Sequence, residues 1–468
     1  MNLAQALRVT PQTRLGMVGA GGKTSALFQT ARALLQPDLE GSSTVLVSVT
    51  THLAYDQIKQ ADRHFFVRSL EDLRKLEKNL PAGLVLITGP RSPLKDHPNR
   101  VTGLGTDIIA RLLAIANERR FPLLIEADGS KRLPLKAPAE YEPALPDFVN
   151  QVVVVAGLSG LGKPLNSQWV HRPERFAALT GLSPEALVSD QALLKVLLHP
   201  EGGLRNIPIG ARRVALLNQA DTPRLRSIAH QMATQLLIAY DSVAIASLNL
   251  NPSLKGEISN QAGPGIQQSR IYAVHEPVAG IVLAAGGSSR FGQTKQLLPW
   301  QGQPLVRHVT QLALQAGLSP VIVVAGQALE QIREILKDLP AIVVHNPGWE
   351  AGQSTSVRAG LNTLPRPVGA AIFLLSDQPR VTPDLLQKLV ETHAHSLATI
   401  VAPQVDGRPA NPVLFDQMTF PDFANIRGDL GGRQLFSKYP ICWVPWHDGT
   451  ILLDIDTPED YQRLLETG

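Results

Sequence analysis

The sequence predicts an α/β protein made of two tandem three-layer α/β domains. Short apolar runs alternate with amphipathic stretches along the chain, a pattern typical of parallel-sheet architecture. In each half, a glycine-rich loop follows the first strongly predicted strand. With 468 residues, the chain is also too long for one ordinary domain.

Six apolar runs predict the strands of the first half, with helices between them. The clearest amphipathic stretches cover residues 25–35 and 69–80. A segment rich in Asn, Pro, Gly, Gln and Ser follows, and it predicts a linker at 251–277. The first domain is therefore expected at 1–250. Its predicted strands are 15–19, 44–49, 83–88, 122–127, 151–156 and 213–218.

The alternating pattern starts again after the linker and predicts a second domain at 278–468. A closing helix is expected from Pro458 onward. The predicted strands of this domain are 280–285, 320–326, 341–345, 370–375, 399–402, 412–415, 441–446 and 451–456.

The composition excludes several classes of protein. No apolar run is long enough to span a bilayer, and residues 1–7 lack the pattern of a secretory signal, so a cytoplasmic location without membrane contact is expected. Cys442 is the only cysteine, which rules out an internal disulfide and a cysteine-built metal site. Cations are dispersed at a net charge of +4, which favours small anionic ligands over nucleic acid.

The most informative stretch is residues 280–299, where an apolar strand opens into a loop of small residues with two cations. Such a loop lets backbone N–H groups close on a triphosphate, while Arg290 and Lys295 balance its charge. The alternative is an ordinary glycine-rich turn, which six specified positions in one ordered context disfavour. The predicted nucleotide contacts are Leu283, Ala284, Ala285, Gly286, Gly287, Ser288, Ser289, Arg290 and Lys295.

Two aspartates of the second half are predicted to hold a Mg²⁺ ion. Asp377 follows the predicted strand 370–375, at the sheet edge where ligands bind in open α/β folds. Asp456 ends the predicted strand 451–456, just before a helix. Taken singly, each aspartate is more readily a turn or N-cap residue. Their joint occurrence behind a phosphate loop favours the metal site, because an ion that bridges phosphates needs carboxylate ligands.

The pattern LAAGxSxRxGxxK at 283–295 resembles the signature of the MobA-like nucleotidyltransferases, and 279–468 resembles their cytidylyltransferase branch. The resemblance implies a Rossmann-like, GT-A-like domain with a mixed sheet that transfers CMP from CTP to molybdopterin and releases pyrophosphate. It makes Asp377 and Asp456 the Mg²⁺ ligands. Arg290, Lys295 and Asp377 are the residues to which it assigns catalysis. The choice of CTP over GTP rests on Ala285 alone.

Three further segments resemble acceptor-side motifs of the same family, at 346–356, 406–412 and 428–433. An arginine beside glycines suits a monophosphate or a dithiolene-bearing pterin, and the alternative for Arg433 is an exposed arginine at a helix start. Trp349 is either a core aromatic or an acceptor contact. The acceptor contacts that the resemblance implies are Gly352, Ser356, Asn411, Pro412, Asp429 and Arg433.

The first half carries a shorter phosphate loop, G-x-x-G-K-T at 19–24, which predicts a P-loop-NTPase-like domain. Met17 stands where the full Walker A spacing needs a glycine. Lys23 would reach the phosphates and Thr24 would ligate Mg²⁺. The predicted loop contacts with an ATP or GTP molecule are Gly19, Gly22, Lys23 and Thr24. The alternative is a glycine-rich helix start.

Acidic residues at the end of the predicted strand 122–127 complete this first site. Glu126 and Asp128 are predicted as acidic ligands of the Mg²⁺ ion that Thr24 would bind.

Two other motifs of the first half are weaker. Residues 157–164 fit GxxxxGK, but Pro164 replaces the metal-binding hydroxyl, so they are not interpreted as a P-loop. Residues 218–221 are similar to NKxD, the guanine-reading motif of GTPases, but lack its lysine and are interpreted first as a turn.

Residues 1–250 resemble the YqeC family of accessory proteins associated with selenium-dependent molybdenum hydroxylases. The resemblance implies a role in maturation of such an enzyme, with handover of the cofactor to the hydroxylase or its chaperone. The segments that carry it are 19–25, 50–52, 126–130, 157–164 and 171–174.

Two other functions remain open from the sequence. A sugar- or alditol-phosphate nucleotidyltransferase would share the donor site and differ in the acceptor pocket. A non-catalytic cofactor-insertion chaperone would bind nucleotide without making stoichiometric pyrophosphate, so turnover separates it from the enzymes.

Overall fold

The computed structural model describes residues 1–36, 43–92, 99–248, 270–287, 291, 294–365, 367–429 and 431–467. The chain divides into two compact units, Met1–His275 and Glu276–Gly468. Within the described ranges, no helix combines the length and the apolar character needed to cross a membrane.

The first unit is an α/β structure. Its helices are α1 (Leu3–Ala6), α2 (Lys23–Leu34), α3 (Leu70–Lys78), α4 (Thr106–Arg119), α5 (Pro173–Thr180), α6 (Asp190–Leu198) and α7 (Pro223–Leu236). Its strands are β1 (Arg14–Gly19), β2 (Thr44–Val49), β3 (His52–Ala54), β4 (Arg63–Phe66), β5 (Gly83–Thr88), β6 (Arg100–Thr102), β7 (Leu123–Glu126), β8 (Leu135–Lys136), β9 (Gln151–Gly157), β10 (Val170–His171), β11 (Arg212–Asn218), β12 (Ser242–Ser247) and β13 (Arg270–His275).

Nine of the described strands form one sheet in the order β13-β12-β11-β9-β1-β7-β2-β5-β4. Only β13 runs antiparallel to its neighbour. The central strands are apolar along their whole length because both faces are covered, as the fully buried β9 illustrates. Since parallel strands end at the same edge, the carboxyl ends of β1, β7, β9, β11 and β12 lie along one edge of the sheet.

All six strands predicted for the first half are present as β1, β2, β5, β7, β9 and β11. The predicted linker at 251–277 needs correction at its end, because residues 270–275 form β13. This strand pairs with β12 and so belongs to the first unit. Residues 251–269 of that segment lie outside the described ranges.

The second unit is also α/β. Its helices are α8 (Leu305–Gln315), α9 (Leu329–Leu336), α10 (Gln353–Asn362), α11 (Pro383–Ser396) and α12 (Pro458–Thr467). Its strands are β14 (Val278–Ala284), β15 (Pro299–Trp300), β16 (Gln303–Pro304), β17 (Val321–Ala325), β18 (Ala341–His345), β19 (Ala370–Leu375), β20 (Ile400–Val405), β21 (Arg408–Pro409), β22 (Val413–Asp416) and β23 (Ile441–Pro445).

The main sheet of this unit is mixed, as predicted. Its order is β18-β17-β14-β19-β22-β20-β21, with β23 paired to β20. The run from β18 to β19 is parallel, and β22 is antiparallel to both β19 and β20. Alternate residues of β19 face different cores: Ile372 packs with residues of α8 and α11, and Phe373 packs with Val357 of α10.

The predicted strand at 451–456 is absent, and Asp456 therefore does not end a strand. Residues 449–452 form a 3₁₀ turn, and residues 453–456 have no regular secondary structure before α12. The backbone N–H of Ile455 donates to the carbonyl of Asp377 at 3.1 Å. This segment is therefore tied to the loop after β19 and not to a strand of the sheet.

Candidate functional sites

In the second unit, three segments far apart in the sequence converge on the ammonium of Lys295. Its Nζ donates to the carboxylate of Asp377, to Asp456 Oδ1 at 3.1 Å and to the carbonyl of Ile455 at 3.3 Å. The side chains of Lys295 and Asp377 are about five-sixths buried, whereas that of Asp456 is 55% exposed. The structure thus brings together one predicted catalytic cation and both predicted metal ligands.

The charges around Lys295 sustain its positive charge. Burial alone would lower the pKa of its ammonium, but the carboxylates of Asp377 and Asp456 outweigh burial and raise that pKa. A third carboxyl, that of Asp454, receives a hydrogen bond from the Gln378 amide. Loss of water raises the pKa of Asp454, and the two neighbouring carboxylates raise it further. Negative charge therefore exceeds positive charge here, which favours a cation.

The carboxylates near Lys295 suit a Mg²⁺ ion that also binds water and substrate phosphates. They do not suit an ion that is enclosed by protein ligands alone. Among the described residues, no group of three or more His, Cys, Asp or Glu side chains is arranged to hold a metal ion. Mg²⁺ commonly keeps several waters and needs only one or two carboxylates besides substrate phosphates. Asp377 and Asp456, which already share one cation in Lys295, meet that requirement.

The loop predicted to hold the nucleotide leaves the carboxyl end of β14, next to that of β19. The carbonyl of Gly286 accepts a hydrogen bond from Gln296 Nε2 at 2.8 Å, which anchors the start of the loop. A Cβ on Gly287 would lie 2.5 Å from ring atoms of Trp349, so only glycine fits there. Trp349 therefore packs beneath the loop, as a core aromatic would.

The structure describes only some of the remaining residues that were predicted to contact the nucleotide. Ala284 and Ala285 are buried and do not line the cleft described below, whereas Leu283 does. Ser288, Ser289 and Arg290, predicted as nucleotide contacts, lie outside the described residues.

A cleft of about 260 Å³ opens beside this loop. Its lining is partly apolar and partly polar, and the polar side includes groups from α10 and from residues 411, 429 and 433. Three predicted acceptor contacts, Asn411, Asp429 and Arg433, are brought together in its wall. The apolar lining is Leu283, Val357, Phe373, Leu375, Val413 and Phe415, and the polar lining includes Gln353, Asn411, Asp429, Arg433 and Asp454.

Gly352 shapes this wall, although it does not line the cleft itself. It has a φ of 103°, and a Cβ there would lie 2.7 Å from the carbonyl carbon of Gly428 and 2.8 Å from Asp429 Oδ1. The backbone N–H of Gln353 also donates to Asp429 Oδ1 at 3.2 Å. The glycine thus lets the loop carrying Asp429 approach the start of α10.

Two predicted acceptor contacts are placed elsewhere. Ser356 is buried, and its hydroxyl accepts a hydrogen bond from Asn346 Nδ2 at 2.9 Å. Pro412 follows Asn411 through a cis peptide bond and is not among the residues of the cleft wall.

In the first unit, the loop between β1 and α2 is shaped by glycines. Gly19, Gly21 and Gly22 have φ angles of 97°, 81° and 115°, which L side chains rarely adopt. A Cβ on Gly21 would lie 2.8 Å from the carbonyl of Pro134 and would also meet the backbone of Gly157. The loop is therefore seated on the end of β9 in a conformation that requires glycine.

Lys23, Thr24, Glu126 and Asp128 gather beneath this loop, as the sequence predicts. The ammonium of Lys23 donates to the Gly19 carbonyl at 2.7 Å and lies 3.2 Å from Asp128 Oδ1. The Thr24 hydroxyl donates to Glu126 Oε2 at 2.8 Å. The hydroxyl and the carboxylate offer neighbouring oxygens, a pairing that suits Mg²⁺.

Burial governs the electrostatics of this first site. The side chains of Lys23 and Asp128 are each only 2% exposed. Burial raises the pKa of Glu126, and this effect outweighs the opposing influence of Lys23 and the Thr24 hydroxyl. A cation that approaches Glu126 would favour its ionised form.

Sequence reasoning missed a second buried cation beside this site. Lys136 Nζ lies 2.6 Å from Asp128 Oδ2 and 2.7 Å from Glu142 Oε2. Burial lowers the pKa of Lys136. Arg172 donates to both oxygens of Glu142, at 2.8 and 3.1 Å. Lys136 thus holds Asp128 in place from the side opposite Lys23, and no motif in the sequence marked it.

The outer end of this network affects two more ionisable groups. Burial opposes ionisation of Glu142, but Lys136 and Arg172 overcome it and lower its pKa to about 2. Burial and the adjacent Arg172 lower the pKa of His171 to about 4, so its imidazole is neutral at pH 7. Arg172 belongs to the segment 171–174, which is one of those that carry the YqeC resemblance.

Comparison with known proteins divides the chain in the same two parts. Residues 15–174 match the model of the family described as YqeC protein, and residues 280–442 match that of the MobA-like NTP transferase domain. The uncharacterized protein YqeC of Escherichia coli is 35% identical over 211 residues, which cover 44% of this chain and 76% of that protein.

Two proteins that are similar to the second half are named for different activities. The molybdenum cofactor cytidylyltransferase of Escherichia coli is 30% identical over 186 residues, 39% of this chain and 92% of that protein. The nicotine blue oxidoreductase of Paenarthrobacter nicotinovorans is 27% identical over 198 residues, 40% of this chain and 96% of that protein.

Proposed function

Because the first half of the chain belongs to the YqeC family, and the second half is a nucleotidyltransferase of the MobA-like NTP transferase family, we propose that the protein is a cytidylyltransferase of molybdenum cofactor maturation. The second unit transfers CMP from CTP to a molybdopterin-type cofactor and releases pyrophosphate. The first unit is a nucleotide-binding accessory domain for the maturation of a molybdenum hydroxylase.

The convergence of Lys295, Asp377 and Asp456 is the observation that carries the proposal. The three side chains meet where β14 and β19 end, beside a cleft that presents Arg433. Lys295 holds phosphate oxygens of the donor, and Arg433 holds the anionic end of the acceptor. A transfer reaction requires a donor and an acceptor side by side, and the nearness of these residues to the cleft supports the proposal on that ground.

The chemistry needs positioning more than proton transfer. The terminal phosphate of the acceptor attacks the α-phosphorus in line, and pyrophosphate leaves. Because that phosphate is already ionised, no strong general base is required. Lys295 and Arg290 stabilise the charge that develops on the phosphates. Mg²⁺, when held by Asp377 and Asp456, neutralises phosphate oxygens and helps the pyrophosphate to leave.

The identities of donor and acceptor rest on the relatives. The CTP preference is proposed from the LAAG form at 283–286 and from the cytidylyltransferase of Escherichia coli. The proposed acceptor follows that relative's name. The aromatic side chains in the cleft lining, Phe373 and Phe415, suit a flat ring system.

The first unit is proposed to bind ATP or GTP with Mg²⁺ under the loop at 19–24. Lys23 contacts the phosphates, while Thr24, Glu126 and Asp128 hold the ion. The proposed role of this nucleotide is to regulate handover of the finished cofactor to a hydroxylase or its chaperone, in keeping with the YqeC resemblance.

Pyrophosphate release tests the proposal directly. The purified full chain is incubated with Mg²⁺, molybdenum-loaded molybdopterin and each of CTP, GTP, ATP and UTP in turn. Stoichiometric pyrophosphate with CTP, and much less with the other three, is expected. A parallel series with sugar and alditol phosphates serves as the acceptor control.

Each of the other outcomes would favour one of the alternative functions. Turnover with a sugar or alditol phosphate but not with molybdopterin would replace the acceptor. Tight CTP binding without pyrophosphate release would favour the cofactor-insertion chaperone over the enzyme.

A further inference from the structure

Two loops of the first unit meet at the sheet edge that carries the phosphate loop, and the proposed function leaves them unused. One is residues 218–221, which begin at the last residue of β11, and the other is residues 247–248, which begin at the last residue of β12. Because β11 and β12 are parallel to β1, their loops open at the same edge as the loop at 19–24.

Asn218 connects these loops to the phosphate loop. Its side chain is 1% exposed, and its Nδ2 donates to the carbonyl of Gly21 at 2.7 Å. Its Oδ1 accepts from the backbone N–H of Leu248 at 3.1 Å. One buried amide thus links the end of β11 and residue 248, just after β12, to the loop at 19–24.

Gln219 reinforces this link. Its φ is 61°, and its Oε1 accepts a hydrogen bond from Ser159 at 2.6 Å. A Cβ on Gly157 would lie 2.9 Å from the Cα of Gly21 and would also meet the Gln219 amide. The Gln219 side chain therefore lies against Gly157, which itself contacts Gly21 of the phosphate loop.

Asp221 is the acidic group that these contacts position. The hydroxyl of Ser247, at the end of β12, donates to Asp221 Oδ1. The side chain is only partly buried, so its carboxylate remains within reach of a ligand at the edge of the sheet. A carboxylate fixed by a hydroxyl on the next strand presents its second oxygen in a defined direction.

We propose that Asp221, held by Ser247 and linked to the phosphate loop by Asn218, reads a guanine base, so that the first unit binds GTP in preference to ATP. The inference rests on the proposed nucleotide site at Lys23 and Thr24, and it names the base that this site takes.

The spacing of the sheet supports this assignment. Only β9 lies between β1 and β11, and neighbouring strands are about 4.8 Å apart, so β11 lies about 10 Å from β1. β12 lies one strand farther. A nucleotide with its phosphates over the end of β1 and its sugar over β9 would reach the ends of β11 and β12 with its base.

The chemistry of the base accounts for the preference. Guanine presents N1–H and its exocyclic amino group side by side, and one carboxylate can accept from both. Adenine presents an acceptor at N1, which would face the negative carboxylate. A site built to accept N–H groups rejects an analogue that lacks them, because its buried polar groups are then left unpaired.

Calorimetric titration of the full chain with GTP, ATP and XTP in the presence of Mg²⁺ tests the inference. The difference between wild type and Lys23→Ala isolates binding at the first unit from nucleotide binding elsewhere. For that Lys23-dependent component, GTP is expected to bind about tenfold or more tightly than ATP.

The Asp221→Asn substitution separates base reading from a structural role. An amide offers one acceptor and one donor, which matches N1–H and the C2 oxygen of xanthine. The variant is therefore expected to bind GTP about tenfold or more weakly and to prefer XTP. Ser247→Ala should weaken GTP binding without creating the XTP preference. Asp147→Asn, an exposed aspartate just before β9 at the opposite edge, is the matched control and should bind as wild type does.

Three results would overturn the inference. Equal Lys23-dependent affinities for GTP and ATP would refute base reading but leave the phosphate site intact. Loss of GTP binding in Asp221→Asn without a preference for XTP would assign Asp221 a structural role. Absence of any Lys23-dependent binding would overturn both this inference and the proposed nucleotide site on which it rests.

Discussion

Asp377 and Asp456 share the ammonium of Lys295, and the three side chains form a compact arrangement of opposite charges. Of the two carboxylates, that of Asp377 is the more buried. A buried carboxylate keeps its direction better than an exposed one, so Asp377 is the group whose loss should matter most for phosphate transfer.

We expect Asp377→Asn to reduce nucleotidyl transfer by about a hundredfold or more, because the amide keeps the shape but removes the negative charge from the proposed metal ligand. The measurement is pyrophosphate release at saturating Mg²⁺. Asp384→Asn, on the exposed first turn of α11, is the matched control. Activity of Asp377→Asn within a few-fold of the control would remove Asp377 from the metal site.

Glu142 should make the first unit's stability depend on acid pH. A pKa near 2 instead of the usual 4.5 corresponds to about 3 kcal/mol, which solvent screening reduces to about 2 kcal/mol. Because the folded pKa is the lower one, this stabilisation is present in full above pH 4.5. It is lost as the pH falls from 4.5 to 2.

Glu142→Gln should therefore lower the unfolding temperature of the first unit at pH 7, and the difference from wild type should shrink as the pH falls toward 3. Calorimetric unfolding across this range measures it. Glu140→Gln, which alters a highly exposed carboxylate two residues away, is the control. A difference that stays constant with pH would show that Glu142 is not ionised in the network.

At the scale of elements, the start of α10 and the loop before residue 430 depend on one glycine. We expect Gly352→Ala to raise the KM for the acceptor about tenfold with a smaller change in kcat, because the new Cβ displaces Gly428 and Asp429 from the cleft wall. Steady-state kinetics with varied acceptor measure the effect.

Gly348→Ala is the matched control for this substitution. Gly348 has a negative φ of −94°, and a Cβ there would make an ordinary contact at 3.7 Å with Asn346. Equal KM values for the two variants would show that the loop geometry at Gly352 does not affect acceptor binding.

The strands show which elements the sequence predicts well. β1, β7 and β14 are short, continuous apolar runs bounded by turn residues, and each is recognised locally. β12 and β13 were missed, because the first is rich in small residues and the second lies next to a segment of linker-like composition. Their place is set by pairing with each other and with β11, which a local pattern does not encode.

For the whole molecule, two sites in separate units imply two separable activities. We expect Lys23→Ala to weaken triphosphate binding at the first unit by one or more orders of magnitude, since a charge-assisted contact to phosphate contributes about 1.5–3 kcal/mol. Transfer by the second unit should be unchanged, because its donor site is built from other residues. Calorimetry and pyrophosphate release on the same preparation measure both. A parallel loss of transfer would show that the sites are coupled.

The boundary at Glu276 predicts a self-sufficient second unit. Residues 276–468 should fold and retain transferase activity, because this unit has its own cores and sheet. The cut belongs at Glu276 and not earlier, since β13 pairs within the first unit. A folded but inactive fragment, compared with the full chain in the same pyrophosphate assay, would show that the first unit contributes to the site.

The sequence by itself determined the features that depend on local pattern: two α/β halves, two glycine-rich loops after apolar strands, and the family of each half. It also predicted the four groups under the first loop, because each follows a strand that ends at the same edge. Tertiary structure alone decided which distant groups meet. It joined Asp456 to Lys295 from an irregular segment, and it placed Lys136 against Asp128. Such contacts depend on how strands and loops pair across the fold, and a short run of residues does not specify which distant residues it will contact.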